Sequence, residues 1–299
     1  MSPSFTAEEA CSGEEEESEE EACSWLFNPN APCLPLVQTY RRKGAKVSPK
    51  VRRMLLNRTV EVLMREGKSI ASKGGIVTRK TALCHYVPGT EWELESTLER
   101  MVAQGHCSTP AYEDILSRRV VRTKRCFVIL ADKSNSLGPT IDYVALGQHP
   151  CEALRYEDYA VLLFDDRIRA LKAVGDFKEE SDILEEILNV QCSGATNLEE
   201  AFSEVSRQLD ATAAGAEGIC IMISDAIPTV GADPLERASR LPQLEVLYFP
   251  NKATAIGDTC VDALETLPRV RVREIRELSD IVDAIQDIIS FGSLEPSNA

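Results

Sequence analysis

No stretch of the 299 residues approaches the roughly 18 consecutive apolar positions that a membrane helix needs. The chain opens Met1-Ser2-Pro3-Ser4-Phe5, without a basic region followed by an apolar one, which reads against a secretory leader. Histidine is scarce, with three in all, and none of the ten cysteines forms a Cys-x-x-Cys pair, so neither a zinc ribbon nor a thioredoxin-type site is present. A Gly-x-Ser-x-Gly elbow, a Gly-x4-Gly-Lys-Ser/Thr phosphate loop and a Gly-x-Gly-x-x-Gly turn after a strand are all missing. These absences leave the expectation of a soluble, cytoplasmic chain with reduced thiols and no enzymatic activity.

Charge, by contrast, is abundant and segregated. The net −15 divides into −9 over residues 1–24, +11 over residues 25–125 and −17 over residues 126–299. The first region holds Gly13-Glu14-Glu15-Glu16-Glu17-Ser18-Glu19-Glu20-Glu21, which cannot bury enough apolar surface to offset chain entropy and reads as disordered. The stretch Asn28-Pro29-Asn30-Ala31-Pro32-Cys33-Leu34-Pro35 reads as a linker, because its prolines favour extended chain. Residues 1–39 are therefore expected to be a disordered acidic tail and linker, of which residues 1–35 are expected to be mobile and dispensable for folding.

Residues 40–119 read as a basic helical segment. Ser48-Pro49 offers a helix start and Gly67 a stop, with Val51, Leu55, Val62 and Leu63 on one face. A second helix opens at Thr90-Glu91-Trp92-Glu93 and ends near Gly105, with Leu94, Leu98 and Met101 as its apolar stripe. Both are expected to pack on the region C-terminal to them. Cys84-His85 and His106-Cys107 lack the spacing of zinc motifs and read as core or surface residues. The segment has no groove-entering motif and only widely spaced aromatics, so specific nucleic-acid binding is not expected from its positive charge.

Residues 120–291 alternate strands and helices, with a short tail at 292–299. Cys126–Ala131 and Tyr159–Phe164 are continuous apolar runs, the pattern of strands buried on both faces, and Ile219–Ile223 and Leu244–Phe249 read as a third and a fourth buried strand. The turn Asp165-Asp166-Arg167 is too short to join the strands beside it except in antiparallel fashion. Val270–Ile275 alternates like an edge strand, and Ser279 is read as the cap of a closing helix. The fold class expected is α/β: a doubly wound, mostly parallel sheet with one antiparallel edge strand, preceded by the small helical segment and the acidic tail.

In such a sheet, ligands bind beyond the carboxyl ends of the strands, where the winding reverses. The first buried strand ends there in Asp132-Lys133-Ser134-Asn135-Ser136 and the third apolar run in Ser224-Asp225. Between them Ser193-Gly194-Ala195-Thr196 brings a further hydroxyl to a helix entry. Asp132, Ser134, Ser136, Thr196 and Asp225 are hard oxygen donors suited to Mg²⁺ or Mn²⁺. The same residues have plainer readings. Thr196-Asn197-Leu198-Glu199 is a capping box, and Asp165 and Asp166 are accounted for by the hairpin turn.

The Asp-x-Ser-x-Ser, the later Thr and the later Asp resemble the metal-ion-dependent adhesion site of von Willebrand factor A domains, over roughly residues 120–291. The resemblance implies that Ser134, Ser136 and Thr196 contact the metal and that Asp132 and Asp225 act largely through water. It also implies that an Asp or Glu of a partner protein completes the site. Asn135, Leu137, Ala195 and Ala226 depart from the family pattern, which commonly has Gly, Met, Gly and Gly there. A basic segment before such a domain, with Tyr86-Val87-Pro88-Gly89-Thr90-Glu91-Trp92-Glu93 and Arg118-Arg119-Val120-Val121-Arg122, resembles the CoxE-like proteins. That likeness implies work beside a MoxR-type AAA+ ATPase in assembling metalloenzymes or multiprotein complexes. Two alternatives stand beside it: a nucleic-acid-associated protein using the basic segment, and a degenerate domain that has kept the fold and lost the metal.

Overall fold

The structure is a computed structural model that describes residues 20, 23–73, 79–86, 88, 91–106, 109–122, 124–137, 142, 154, 157–212, 216–251 and 254–291. Nearly all of the acidic run and the tail 292–299 lie outside these residues. The chain divides into a larger unit, formed by the chain up to Ile76 together with Arg125–Ala299, and a smaller one, Val77–Lys124.

The larger unit begins with α1 (Cys33–Lys43) and α2 (Pro49–Lys73). The residues read as linker are thus the entrance to a helix. Pro32 is its N-cap, and Pro35 falls in the first turn, where the backbone N–H it lacks would have had no helical partner. Ala31, Cys33, Leu36 and Val37 are buried, so this part of the expected tail belongs to the core. Gly67 does not stop α2, which continues to Lys73; an isolated glycine costs a helix only about 1 kcal/mol.

The smaller unit contains β1 (Arg79–His85), α3 (Leu94–Ala103) and β2 (Leu116–Arg122). The two strands pair antiparallel from Arg79 opposite Arg122 to His85 opposite Leu116, where the sequence pattern suggests helix and loop. Glu93 caps α3 by accepting from the backbone N–H of Ser96, so the cap lies three residues after Thr90. Thr97 and Met101 are its buried residues, whereas Leu94 and Leu98 are exposed. Thr97 Oγ1 accepts from Leu116 N at 2.9 Å and donates to Glu93 O at 2.6 Å, tying α3 to β2.

The chain then builds the sheet: β3 (Arg125–Asp132), β4 (Asp158–Phe164), β5 (Ile168–Lys172), α4 (Glu180–Leu188), α5 (Leu198–Asp210), β6 (Glu217–Ser224), α6 (Leu235–Ala238), β7 (Leu244–Tyr248), α7 (Ile256–Glu265), β8 (Val270–Glu274) and α8 (Leu278–Phe291). The strand order is β5-β4-β3-β6-β7-β8, with every pair parallel except β4–β5. This is the doubly wound, mostly parallel sheet with one antiparallel edge strand. The closing helix starts at Leu278, not after Ser279, and Asp280 caps it by accepting from Arg276 N and Glu277 N.

Successive side chains of β3 divide between two cores, as the two-residue period of a strand demands. Phe127, Ile129 and Ala131 join Leu36, Val37, Leu55 and Leu63 of α1 and α2, Ile183 and Ile187 of α4, and Ile281 and Ile285 of α8. Cys126, Val128 and Leu130 join Leu198, Phe202 and Val205 of α5 and Val261 and Leu264 of α7. Both faces of β3 are therefore dry, which is why its sequence is continuously apolar. Cys126 and Cys220 are buried as small apolar residues.

Candidate metal centre at the strand ends

β4 and β6 flank β3 on opposite sides, so the chain leaves β3 in one direction and returns on the other. The crevice of a doubly wound sheet lies at that reversal, beyond the carboxyl ends of β3 and β6. Asp132 is the last residue of β3, and Asp225 comes directly after the last residue of β6.

Asp132 is fully buried. Its Oδ1 accepts from Ser134 N at 2.8 Å, the bond of a tight turn, and its Oδ2 accepts from Ser224 Oγ at 2.6 Å. Burial pushes its carboxyl up to about 6, against the pull of these hydrogen bonds, and the charge of Asp225 adds to the rise. Ser134 Oγ and Ser136 Oγ stand 3.0 Å apart. Asp225 is buried, its carboxyl also raised by desolvation, with Ser136 and Asn251 opposing the shift. Its Oδ2 accepts from Asn251 Nδ2 at 3.4 Å, while Oδ1 is buried with no hydrogen-bond partner.

Thr196 is buried on the third loop. It does not cap α5: Asn197 is the N-cap, its Oδ1 accepting from Glu200 N at 3.2 Å. The backbone of Thr196 is occupied instead by the loop after Asp225. Its N–H donates to Thr229 Oγ1 at 2.7 Å, and its carbonyl accepts from Thr229 N and Val230 N. The Thr196 loop is also laced to the Asp-x-Ser-x-Ser turn, since Ser193 N donates to Lys133 O at 2.9 Å and Asn135 N to Gly194 O at 3.4 Å. The three site-bearing loops thus hold one another through hydrogen bonds of their backbones.

Several residues of this arrangement escape a reading of the sequence. Ser224 joins both carboxylate loops, donating to Asp132 and accepting from Ala226 N at 2.9 Å. Asp165 is more than a turn residue: it is buried, forms an ion pair with Lys133, accepts from Arg167 N, and offers its carbonyl to Asn197 N. A polar cleft of about 660 Å³, lined in part by Lys133, Asp165, Asp166 and Ser193, opens beside this pair.

The departures from the family pattern have unequal consequences. Asn135 sits in a 3-10 turn, and neither it nor Ala195 takes a positive φ. Gly194 retains the left-handed conformation at φ 78°, and a Cβ there would stand 2.7 Å from Asp166 Oδ1. Ala226 adopts φ 51° with a side chain, which costs about 1 kcal/mol relative to an unstrained residue.

Among the described residues no group of three or more His, Cys, Asp or Glu is placed to hold a metal ion. The candidate set has only two carboxylates and relies on hydroxyls for the rest. Its chemistry fits a small hard cation, and the buried, unpartnered Asp225 Oδ1 is the kind of oxygen such an ion would satisfy.

No protein-family model matches the chain, and no curated protein matches it. Solved structures similar to it include the pilus adhesin SpaC from Lactobacillus rhamnosus GG in its open conformation, at 11% identity and TM-score 0.46, covering 56% of this chain and 30% of the adhesin. A von Willebrand factor type A protein from Catenulispora acidiphila matches at 15% identity and TM-score 0.43, covering 58% of this chain and 44% of that one. The SpRpn10 VWA domain matches at 13% identity and TM-score 0.43, covering 57% of this chain and 100% of that domain. The chain thus spans less than half the length of the first two.

Proposed function

We propose that the larger unit is a von Willebrand A-type protein-interaction module, without enzymatic activity, that takes up Mg²⁺ or Mn²⁺ and through it an acidic side chain of a partner protein. Ser134, Ser136 and Thr196 would contact the ion, and Asp132 and Asp225 would act largely through bound water. The observation that carries this reading is the convergence of Asp132, the paired hydroxyls of Ser134 and Ser136, and the unpartnered Asp225 Oδ1 at the reversal of the sheet. A cation held chiefly by neutral hydroxyls keeps much of its charge for an incoming anion, which is why a partner's carboxylate is the natural last ligand.

The likeness of the basic segment to CoxE-like proteins makes a MoxR-type AAA+ ATPase the first partner to test. A cytoplasmic location belongs to the same proposal; among the described residues, no helix is long and apolar enough to cross a membrane. The immobilised chain is expected to retain its partner in Mg²⁺ and release it in EDTA, with retention lost in the Ser134→Ala/Ser136→Ala double variant. Retention indifferent to EDTA and to that variant would contradict the proposal. Nucleic acid recovered in place of protein would favour the basic-segment alternative.

A further inference from the structure

We propose that Arg41, on the N-terminal helix α1, is a positioning residue for the candidate metal centre, holding from behind the two chain segments that flank it. The proposal rests on the metal-dependent function for what the centre binds; the clamp itself stands on geometry.

Arg41 is largely buried and spends its whole guanidinium on two targets. On one side Nη1 donates to Leu188 O at 3.1 Å and Nη2 to Val190 O at 2.7 Å, with a longer contact from Nη1 to Ile187 O. Leu188 O and Val190 O lie at and just past the end of α4, beyond the reach of the helix's own N–H groups, where a cation also meets the negative end of the helix dipole; Ile187 O already accepts from Val190 N at 3.0 Å. On the other side Nε pairs with Asp142 Oδ1 at 3.2 Å, and Arg42 reaches the second oxygen of the same buried carboxylate at 3.3 Å. Tyr40 adds a bond from its hydroxyl to Asn189 Oδ1 at 2.7 Å.

The two targets lie on the two site-bearing segments. Val190 starts the loop that runs through Ser193 and Gly194 to Thr196, and Asp142 stands six positions beyond Ser136. The bonds from Ser193 N to Lys133 O and from Asn135 N to Gly194 O join these segments at the site. Arg41 fastens them at their far ends. The burial of α1 rests on Cys33, Leu36, Val37, Thr39 and Tyr40, so this polar fork is separable from the apolar docking of the helix. Lysine retains the charge but not the planar fork, and cannot reach both targets.

The test compares the full-length chain with Arg41→Lys and Asp142→Asn by hydrogen exchange and by Mn²⁺ titration. In both variants the amides of residues 190–196 are expected to exchange about tenfold faster, with β3 and β6 unchanged. Mn²⁺ affinity should fall by about tenfold, the scale at which groups supporting a metal's ligands act. Unchanged exchange over 190–196 in both variants would overturn the proposal and leave Arg41 an ordinary helix cap. If the unaltered chain takes up no Mn²⁺, the metal reading fails, and the exchange result decides the clamp by itself. If Arg41→Lys does not fold, Asp142→Asn carries the same comparison.

Discussion

Asp132→Asn is expected to make the metal-free protein more stable near pH 8 while abolishing any stabilisation by Mg²⁺. Asp132 is buried, and its folded carboxyl is raised to about 6, above the value of about 4 it has in an unfolded chain. Between those values the folded state holds the proton more tightly than the unfolded state. The stability this group contributes is therefore fully present below about pH 4 and is lost as pH rises through about 6, amounting to about 3 kcal/mol by pH 8. Asparagine carries no charge to bury. It can still accept from Ser134 N, and its amide can donate to Ser224 Oγ where the carboxylate accepted.

The metal response has the opposite sign. A divalent cation needs the ionised carboxylate and competes with its proton, so stabilisation by Mg²⁺ or Mn²⁺ should grow as pH rises through about 6 and be absent in the variant. Denaturant unfolding near pH 4.5 and pH 8, in EDTA and in Mg²⁺, reads both effects. An Asp132→Asn protein less stable than the unaltered chain near pH 8 in EDTA would contradict the assignment of Asp132 as a buried charge awaiting a cation.

Leu36→Ala is expected to cost about 3 kcal/mol, the middle of the range for truncating a buried leucine. Leu36 is fully buried in the core that also holds Phe127 and Ile129 of β3. Were α1 merely part of a linker, the same substitution would change stability by less than about 0.5 kcal/mol. A fall in denaturation midpoint at unchanged slope would show that the N-terminal helix folds with the sheet as one cooperative structure.

The sequence disclosed the sheet because strands buried on both faces are continuously apolar, as Phe127 to Ala131 and Ile219 to Ile223 are. It disclosed the Asp-x-Ser-x-Ser loop and Asp225 because the first follows such a run directly and the second follows one after Ser224. It concealed α1, whose prolines suggested a linker although Pro32 and Pro35 occupy positions where a helix tolerates them. It concealed β1 and β2 as well. Leu116-Ser117-Arg118-Arg119-Val120-Val121-Arg122 lacks the apolar run that marks the central strands, and its pairing with β1 is non-local. The plainer reading of Thr196, as a helix cap, came from a capping box in register, yet Asn197 one position later takes that role. The parts played by Ser224, Asp165 and Arg41 depend on partners 92, 32 and about 150 residues away, which no local pattern encodes.

Whether these loops form a divalent-cation site is read by Mn²⁺ binding followed by electron paramagnetic resonance at about pH 7.5, where the Asp132 carboxyl is ionised. One Mn²⁺ is expected to bind per chain, to be displaced by excess Mg²⁺ and to be lost in the Ser134→Ala/Ser136→Ala protein. A spectrum that remains that of free Mn²⁺ at millimolar metal, or binding that survives in the double variant, would contradict it.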